Sequence, residues 1–418
     1  MRISFLSASG QLGGAETSLL GLLASLREVR PAWPLQLVIA SDGPLAARAE
    51  ALGVTTIGAP FPASVARLGE RSATSSAPGY ARFAAQLGLA AGPIASYIAQ
   101  LRRRLGACRP DVVHTNGLKM HLLGARAADA TPIVWHVHDY LGPRPVTGRL
   151  LRWNLSRCAA IVANSRSVAD DVRAVIGNDV DVVAIHNAVD LQRFSPQSPA
   201  ADLDRLAGLP AAAAGTVRVG LVATYARWKG HAAFIEAIAK LPSDLAVRAY
   251  IVGGAVYQTD GSQYSVGELK DLAKASGVAD RVAITGFVMQ PETALRALDV
   301  VVHASTAPEP FGLAIAEAMA CGCAVVMSYA GGAAEIVTPN VDALTHRPGD
   351  VNGLAAAIEG LARDAALRAR LGAAARATAE RMFDRARLAH ELIPVYEQVA
   401  RAFQASAAAR LKASRYAG

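Results

Sequence analysis

The 418-residue chain predicts an α/β protein of two domains, each built on a parallel sheet, and three observations carry that expectation. Short apolar, β-branched runs alternate with helix-like segments along the whole chain, the pattern of strands covered on both faces. The chain is too long for one ordinary core and suits two domains of about 200 residues each. Two segments, Ser195-Pro-Gln-Ser-Pro199 and Pro210-Ala-Ala-Ala-Ala-Gly215, flank one small polar helix, so the boundary is expected within residues 190 to 216.

In the first half, strands are expected at Arg2–Ser9, Leu35–Ala40, Val54–Ile57, Asp111–His114, Ile133–His138, Ala160–Asn164 and Val182–His186. The first runs into Gly10-Gln-Leu-Gly-Gly-Ala-Glu16 and an apolar helix, where Gly13 and Gly14 let backbone approach a ligand without a side-chain clash. The dinucleotide fingerprint G-x-G-x-x-G is absent. Phe83–Leu101 holds no charged residue and is long enough to suggest a membrane span. Its Gln, Ser, Gly92 and Pro93 content predicts instead two packed helices broken at Gly92-Pro93. Arg102-Arg-Arg104 follows, so the segment is either a core helix with a basic end or an apolar surface suited to an anionic membrane. His138 closes the fifth strand; His136 shares its face and reads as a buried structural histidine. His114 and His186 also lie near strand ends, so a histidine is not by itself a catalytic signal here.

In the second half, strands are expected at Val217–Ala223, Val247–Val252, Val282–Thr285, Val300–Ala304 and Ala324–Met327. The fourth enters Glu309-Pro-Phe-Gly-Leu-Ala-Ile-Ala-Glu317, a tight loop that opens a helix over Leu313–Ala320 and stops at Gly322. Glu309 therefore stands at the carboxyl end of a strand, where open α/β sheets place ligands. Gly312 and Leu313 offer unpaired backbone N–H groups at a helix start, which attract phosphate. A second strand-to-helix turn, Val219-Gly-Leu-Val-Ala-Thr-Tyr-Ala-Arg-Trp-Lys-Gly230, lets Arg227 and Lys229 be aimed at a diphosphate. Asp384–Phe403 is a helical pattern with Leu388, Leu392, Tyr396, Val399 and Phe403 and no following strand, so it must dock on a sheet already formed.

A chain 52% hydrophobic and 18% charged buries a large core and is not disordered. Four cysteines are too few for a disulfide framework, and Cys321 and Cys323 have neither zinc nor C-x-x-C spacing. Reduced thiols in the cytoplasm and no metal cofactor are the expectation. The first apolar run passes straight into the glycine-rich loop, which argues against a secretory signal. The net charge of +8 attracts acidic partners. No zinc, helix-turn-helix or aromatic single-strand signature accompanies it, so nucleic acid is not expected.

Glu309 and Glu317, seven residues between them, resemble the paired-glutamate signature of the retaining, nucleotide-sugar-dependent glycosyltransferases of family 4. The glycine-rich loop, Pro132-Ile-Val-Trp-His-Val-His-Asp139, Ile185-His-Asn-Ala-Val-Asp190 and Gly331-Gly-Ala-Ala-Glu335 are similar to further family segments, in the family's order; Ala188 stands where glycine is usual. The resemblance implies the GT-B fold: two facing Rossmann-like, doubly wound parallel-sheet domains with the substrate cleft between them. It implies an acceptor-binding domain over 1–195, a donor-binding domain over 196–385, and a C-terminal helix, 386–418, crossing back to the first domain.

By the same resemblance, His138 contacts the transferred sugar, Glu309 its hydroxyls, and Glu317 the ribose. Lys229 and Arg227 hold the diphosphate, with Thr224 where the family places an arginine five residues before the lysine. Gly13, Gly14, Phe311, Gly312 and Leu313 complete the donor cradle, and Glu16, Lys119 and Arg144 serve the acceptor. The implied reaction is metal-independent, retaining transfer of a hexose-type sugar from a UDP- or GDP-sugar to a hydroxyl of a glycan or lipid-linked acceptor. Its setting is polysaccharide or glycolipid assembly, with a peripheral place on the inner face of the cell membrane. A sugar-nucleotide epimerase of similar architecture and a noncatalytic nucleotide-sugar binding protein are the alternatives.

Overall fold

The computed structural model describes residues 1–68, 85–129, 131–255 and 262–416. The chain divides into two compact units, Met1–Asn187 with Arg385–Gly418, and Ala188–Asp384. The first unit ends at Asn187, ahead of residue 195. Val189, Phe194 and Leu203 are built into the core of the second unit, where Val189 donates its N–H to the Phe383 carbonyl at 2.7 Å.

The first unit carries a seven-stranded sheet, all parallel, in the order β3-β2-β1-β4-β5-β6-β7. Its strands are β1 (Ile3–Ser7), β2 (Leu35–Ile39), β3 (Thr55–Gly58), β4 (Val112–Asn116), β5 (Ile133–Val137), β6 (Cys158–Ala163) and β7 (Val182–Ala184). β1, β4 and β5 are buried at every position, as helices on both faces require. The order reverses between β1 and β4, and doubly wound sheets bind ligands at such a reversal.

The uncharged segment after β3 breaks at Ala90, two residues earlier than expected. Pro93 sits in the first turn of the helix Ala91–Cys108, where a missing N–H costs nothing because the first four donors have no intrahelical acceptor. Phe83 lies outside the described residues. Among the described residues, no helix is long and apolar enough to cross a membrane.

The C-terminal helix Ala386–Tyr416 docks on the first unit. Ser25, on the helix Gly14–Val29, donates to the Ala386 carbonyl at 3.2 Å and accepts from the Ala389 N–H at 2.9 Å. Arg387 donates to the carbonyls of His186 and Asn187, and the buried Tyr396 hydroxyl is hydrogen-bonded to His114 Nδ1 at 2.8 Å. Leu388 and Leu392 are also buried.

The second unit holds a six-stranded parallel sheet in the order β10-β9-β8-β11-β12-β13. The strands are β8 (Val217–Val222), β9 (Val247–Val252), β10 (Val282–Gly286), β11 (Val300–His303), β12 (Ala324–Ser328) and β13 (Leu344–His346). β13 was not legible: two half-buried residues and the buried His346 at a sheet edge leave no apolar run. The small polar helix after the boundary is Leu203–Leu206, capped by the Asp202 carboxylate on the Arg205 N–H at 3.0 Å.

Candidate active site

In the second unit the order reverses between β8 and β11, and the loops leaving these two strands meet. Gly230, in the left-handed region at φ 79°, lets the β8 loop press on the end of β11; a Cβ there would overlap the Ala304 carbonyl oxygen. The Thr306 N–H donates to the Trp228 carbonyl at 2.8 Å, which locks the two loops together.

Lys229 is thereby delivered onto Glu309. Its Nζ donates to Oε1 at 2.8 Å and to Oε2 at 2.7 Å. The Lys229 ammonium also lies over the Trp228 ring, 4.1 Å from its centroid. His303 Nε2 lies 3.1 Å from Glu309 Oε2, and Ser305 Oγ donates to the same oxygen at 3.1 Å. Burial would raise the Glu309 carboxyl, yet the Lys229 ammonium and the His303 hydrogen bond hold it well below the usual carboxylate range. Glu309 is thus a fixed anion at neutral pH.

Beyond Glu309 the chain turns at Gly312, φ 92°, where a Cβ would come within 2.7 Å of Ile315 Cδ1. The helix Leu313–Ala320 starts there and ends before Gly322, as its sequence predicts. The N–H groups of Gly312 and Leu313 donate to no protein acceptor. Phe311, in contrast, contributes packing: its ring is buried and meets Phe383 edge-on, 5.9 Å between centroids. One helical turn after Leu313, Glu317 has no hydrogen-bond or ion-pair partner. Burial pushes its carboxyl up to about 8, with Arg193 opposing and Glu292 reinforcing the shift. Arg193 itself is paired with Glu292 at 2.7 Å.

Arg227 does not join this group. It is exposed, paired with Glu268, and its guanidinium lies 4.3 Å from the centroid of the Tyr264 ring. The 3-10 turn Arg227–Lys229 turns the two side chains apart, one to Glu268 and one to Glu309. Thr224 Oγ1 is buried without a partner.

In the first unit, Gly13 caps the helix Gly14–Val29, and a Cβ at Gly14 would have no neighbour within 4 Å, so this loop is open. Glu16 Oε2 accepts from the Gly13 N–H at 3.2 Å, and burial pushes its carboxyl up to about 7. Asn116, at the end of β4, donates Nδ2 to the Ala15 carbonyl at 3.3 Å, so its Oδ1 accepts from His138 Nε2 at 2.7 Å. His138 Nδ1 is left as the lone-pair nitrogen, buried without a partner. The ring packs on His136, 4.1 Å between centroids, and burial pushes it down to about 4. It is a neutral imidazole.

Two acceptor candidates have other attachments. Lys119 donates to the carbonyls of Val65 at 3.2 Å and Ala66 at 2.6 Å and lies over the Phe61 ring. Arg144 pairs with Asp139 at 3.4 Å. The residues missed from the sequence are His303 and Ser305 around Glu309, Asn116 beside His138, and the Arg193–Glu292 pair near Glu317. His303 and Ser305, two apart at a strand end, share a face with each other, and that periodicity was the available signal.

Two parallel Rossmann-like sheets, each with a reversal of strand order, make the GT-B architecture, and the comparisons with known proteins agree. Residues 12–193 match the model of Glycosyltransferase Family 4 and residues 213–378 that of Glycosyl transferases group 1. The chain belongs to the family 4 glycosyltransferases. It is 33% identical over 310 residues to a D-inositol 3-phosphate glycosyltransferase of Xylanimonas cellulosilytica, covering 69% of this chain and 72% of that one. A lipopolysaccharide core biosynthesis mannosyltransferase, LpcC of Rhizobium leguminosarum bv. viciae, is 30% identical over 216 residues, 52% of this chain and 58% of that one. Among solved structures, Anabaena Alr3699/HepE in complex with UDP and glucose superposes with a TM-score of 0.76 at 26% identity, covering 95% of this chain and 99% of that one.

Proposed function

We propose that this glycosyltransferase is retaining and metal-independent, and that it transfers a hexose-type sugar from a UDP- or GDP-sugar to a hydroxyl acceptor. The observation that carries the reading is the second unit's constellation: Lys229 held on Glu309 at 2.7 Å, beside the free N–H groups of Gly312 and Leu313, with the unpaired Glu317 one turn on. Departure of a nucleoside diphosphate builds negative charge on phosphate, and a fixed ammonium with a helix N-terminus stabilises it without reorganisation. These groups supply the charge that a metal ion supplies elsewhere.

Glu309 fits the sugar hydroxyls, because Lys229, His303 and Ser305 orient its oxygens for accepting hydrogen bonds rather than for attack on carbon. The leaving phosphate then takes the proton of the incoming hydroxyl on the face it vacates, which retains configuration. Glu317 accepts from the ribose hydroxyls, and neutral His138 contacts the sugar without adding a fixed charge. The structural relative with UDP bound favours UDP over GDP. The relative named for lipopolysaccharide core supports a lipid-linked glycan acceptor. Exposed Leu89 and Trp153 on the basic first unit support peripheral attachment to an anionic membrane.

Isotope-labelled donor in the presence of EDTA tests the reading. Slow release of free sugar with retained configuration, or transfer to added acceptor, is expected. Inversion of a sugar centre without release points to an epimerase, and tight binding without turnover to a noncatalytic binder; either outcome overturns the proposal.

A further inference from the structure

The first unit contains a cavity of about 650 Å³ whose apolar interior none of the roles above uses. Apolar side chains of three helices form much of its wall, among them Ile94 and Ile98 of Ala91–Cys108, Leu118 and Leu122 of Leu118–Ala127, and Leu150 of Pro145–Trp153. That size lies within the roughly 300–1,000 Å³ typical of small-molecule sites. Five cations, Arg102, Lys119, Arg126, Arg144 and Arg157, also line it, and among the described residues no carboxylate does. Three of them are held without a carboxylate: Lys119 by carbonyls, Arg126 by Asn154 Oδ1 at 2.7 Å, and Arg157 by the Ala125 carbonyl at 3.4 Å. Their charge is available to an anion.

The helices Leu118–Ala127 and Pro145–Trp153 follow β4 and β5 and run in the same sense, so they sort these cations by edge. Lys119 and Arg144 lie at the strand carboxyl edge, and Arg144 pairs there with Asp139, the neighbour of His138 in sequence. Arg126 and Arg157 lie at the opposite edge with Trp153, which is 75% exposed beneath the Arg126 guanidinium. An apolar slot with cations at both mouths, one of them an interfacial pairing of arginine with an amphipathic aromatic, has the polarity of a lipid entering from an interface at the Trp153 mouth.

We infer that this slot binds the hydrocarbon chain of an anionic amphiphile, with its phosphate or carboxylate head at the Lys119–Arg144 edge and its tail leaving past Trp153. This deepens, and rests on, the transferase reading: the amphiphile is the acceptor, its head group presented beside the His138 loop.

The probe is cis-parinarate, an anionic fatty acid that fluoresces on entering an apolar site, used without vesicles and below its self-association concentration. Saturable binding is expected, about tenfold tighter than for its uncharged methyl ester, because a charge-assisted contact is lost in the ester. Leu122→Trp and, separately, Ile98→Trp fill the slot and are expected to weaken binding at least tenfold, with circular dichroism melts establishing that each variant is folded. No saturable binding, binding undiminished in the folded variants, or equal affinity for acid and ester overturns the inference. Donor hydrolysis needs no acceptor, so its failure strikes the transferase reading and the acceptor role that rests on it while leaving the binding slot standing, whereas loss of cis-parinarate binding strikes the slot alone.

Discussion

At the scale of single residues, the two glutamates that look alike in sequence are opposite in chemistry. Glu309 is held ionised by Lys229 and His303, whereas Glu317 has burial and no partner. Glu309→Gln and Lys229→Ala are each expected to lower turnover by at least a hundredfold, the order of magnitude for removing one preorganised electrostatic contact. Lys229→Ala is also expected to destabilise the fold, because it strands a buried carboxylate; steady-state kinetics beside thermal melts separates the two effects. For Glu317, the folded pKa is raised from 4.5 to about 8, so the folded state holds a proton that the unfolded state releases. Its stability contribution is full below pH 4.5 and is lost as pH rises towards 8. Glu317→Gln should therefore raise the melting temperature at pH 8.5 and leave it nearly unchanged at pH 5, a difference scanning calorimetry reads directly. Nucleotide affinity in the natural protein should rise over the same interval, since ribose hydroxyls donate better to a carboxylate than to its acid. The Glu309–Glu317 spacing was legible because loop and helix are contiguous in sequence. The direction of the Arg227 side chain was not legible, because a 3-10 turn decides it and no residue pattern announces that turn.

At the scale of elements, the strands were legible in proportion to their burial. β1, β4, β5 and β12, buried throughout, stand out as apolar runs, while β13 has none and pairs only through three residues at an edge. What the runs hid is the company of histidines on β4 and β5. His114 and His136 meet edge-on at 5.2 Å, and the buried His121 and half-buried His138 complete the group. Burial first, and mutual proximity second, pushes His114 down to about 3 and His121 and His136 well below the usual 6.5. Each depressed imidazole takes up a proton in the unfolded state before it does so in the folded one. Stability is thus full above pH 6.5 and falls as pH drops towards 4, and the first unit should melt first in that window. Hydrogen exchange of the β4 and β5 amides at pH 7 and pH 5 checks this; equal protection at both would sink it. The C-terminal helix offers a second element-level test. Leu392→Ala should cost about 2–5 kcal/mol, the range for truncating a fully buried leucine, measured by urea unfolding.

At the scale of the whole molecule, the net charge of +8 conceals a division of labour. The first unit holds 25 basic and 14 acidic residues, a net of +11, and the second 17 and 20, a net of −3. The anion-binding candidates Lys229, Gly312 and Leu313 therefore sit in the more acidic half, so their selectivity for phosphate has to come from local geometry: one ammonium and the exposed donors of one helix start. The long-range field belongs to the other half, which also presents Leu89, 83% exposed, and Trp153. A positive body with exposed apolar side chains should bind vesicles rich in anionic lipid at low ionic strength and leave them as salt rises past about 0.15 M, where the Debye length shrinks to about 8 Å. Co-sedimentation at several salt concentrations measures this, with uncharged phosphatidylcholine vesicles as the control. Charge-reversing substitution of Arg102 and Arg103 should weaken pelleting, whereas the same change at Lys270 and Lys274 of the second unit should not. Equal loss from both pairs would assign the attraction to net charge rather than to the first unit, and no pelleting at low salt would remove the membrane from the account altogether.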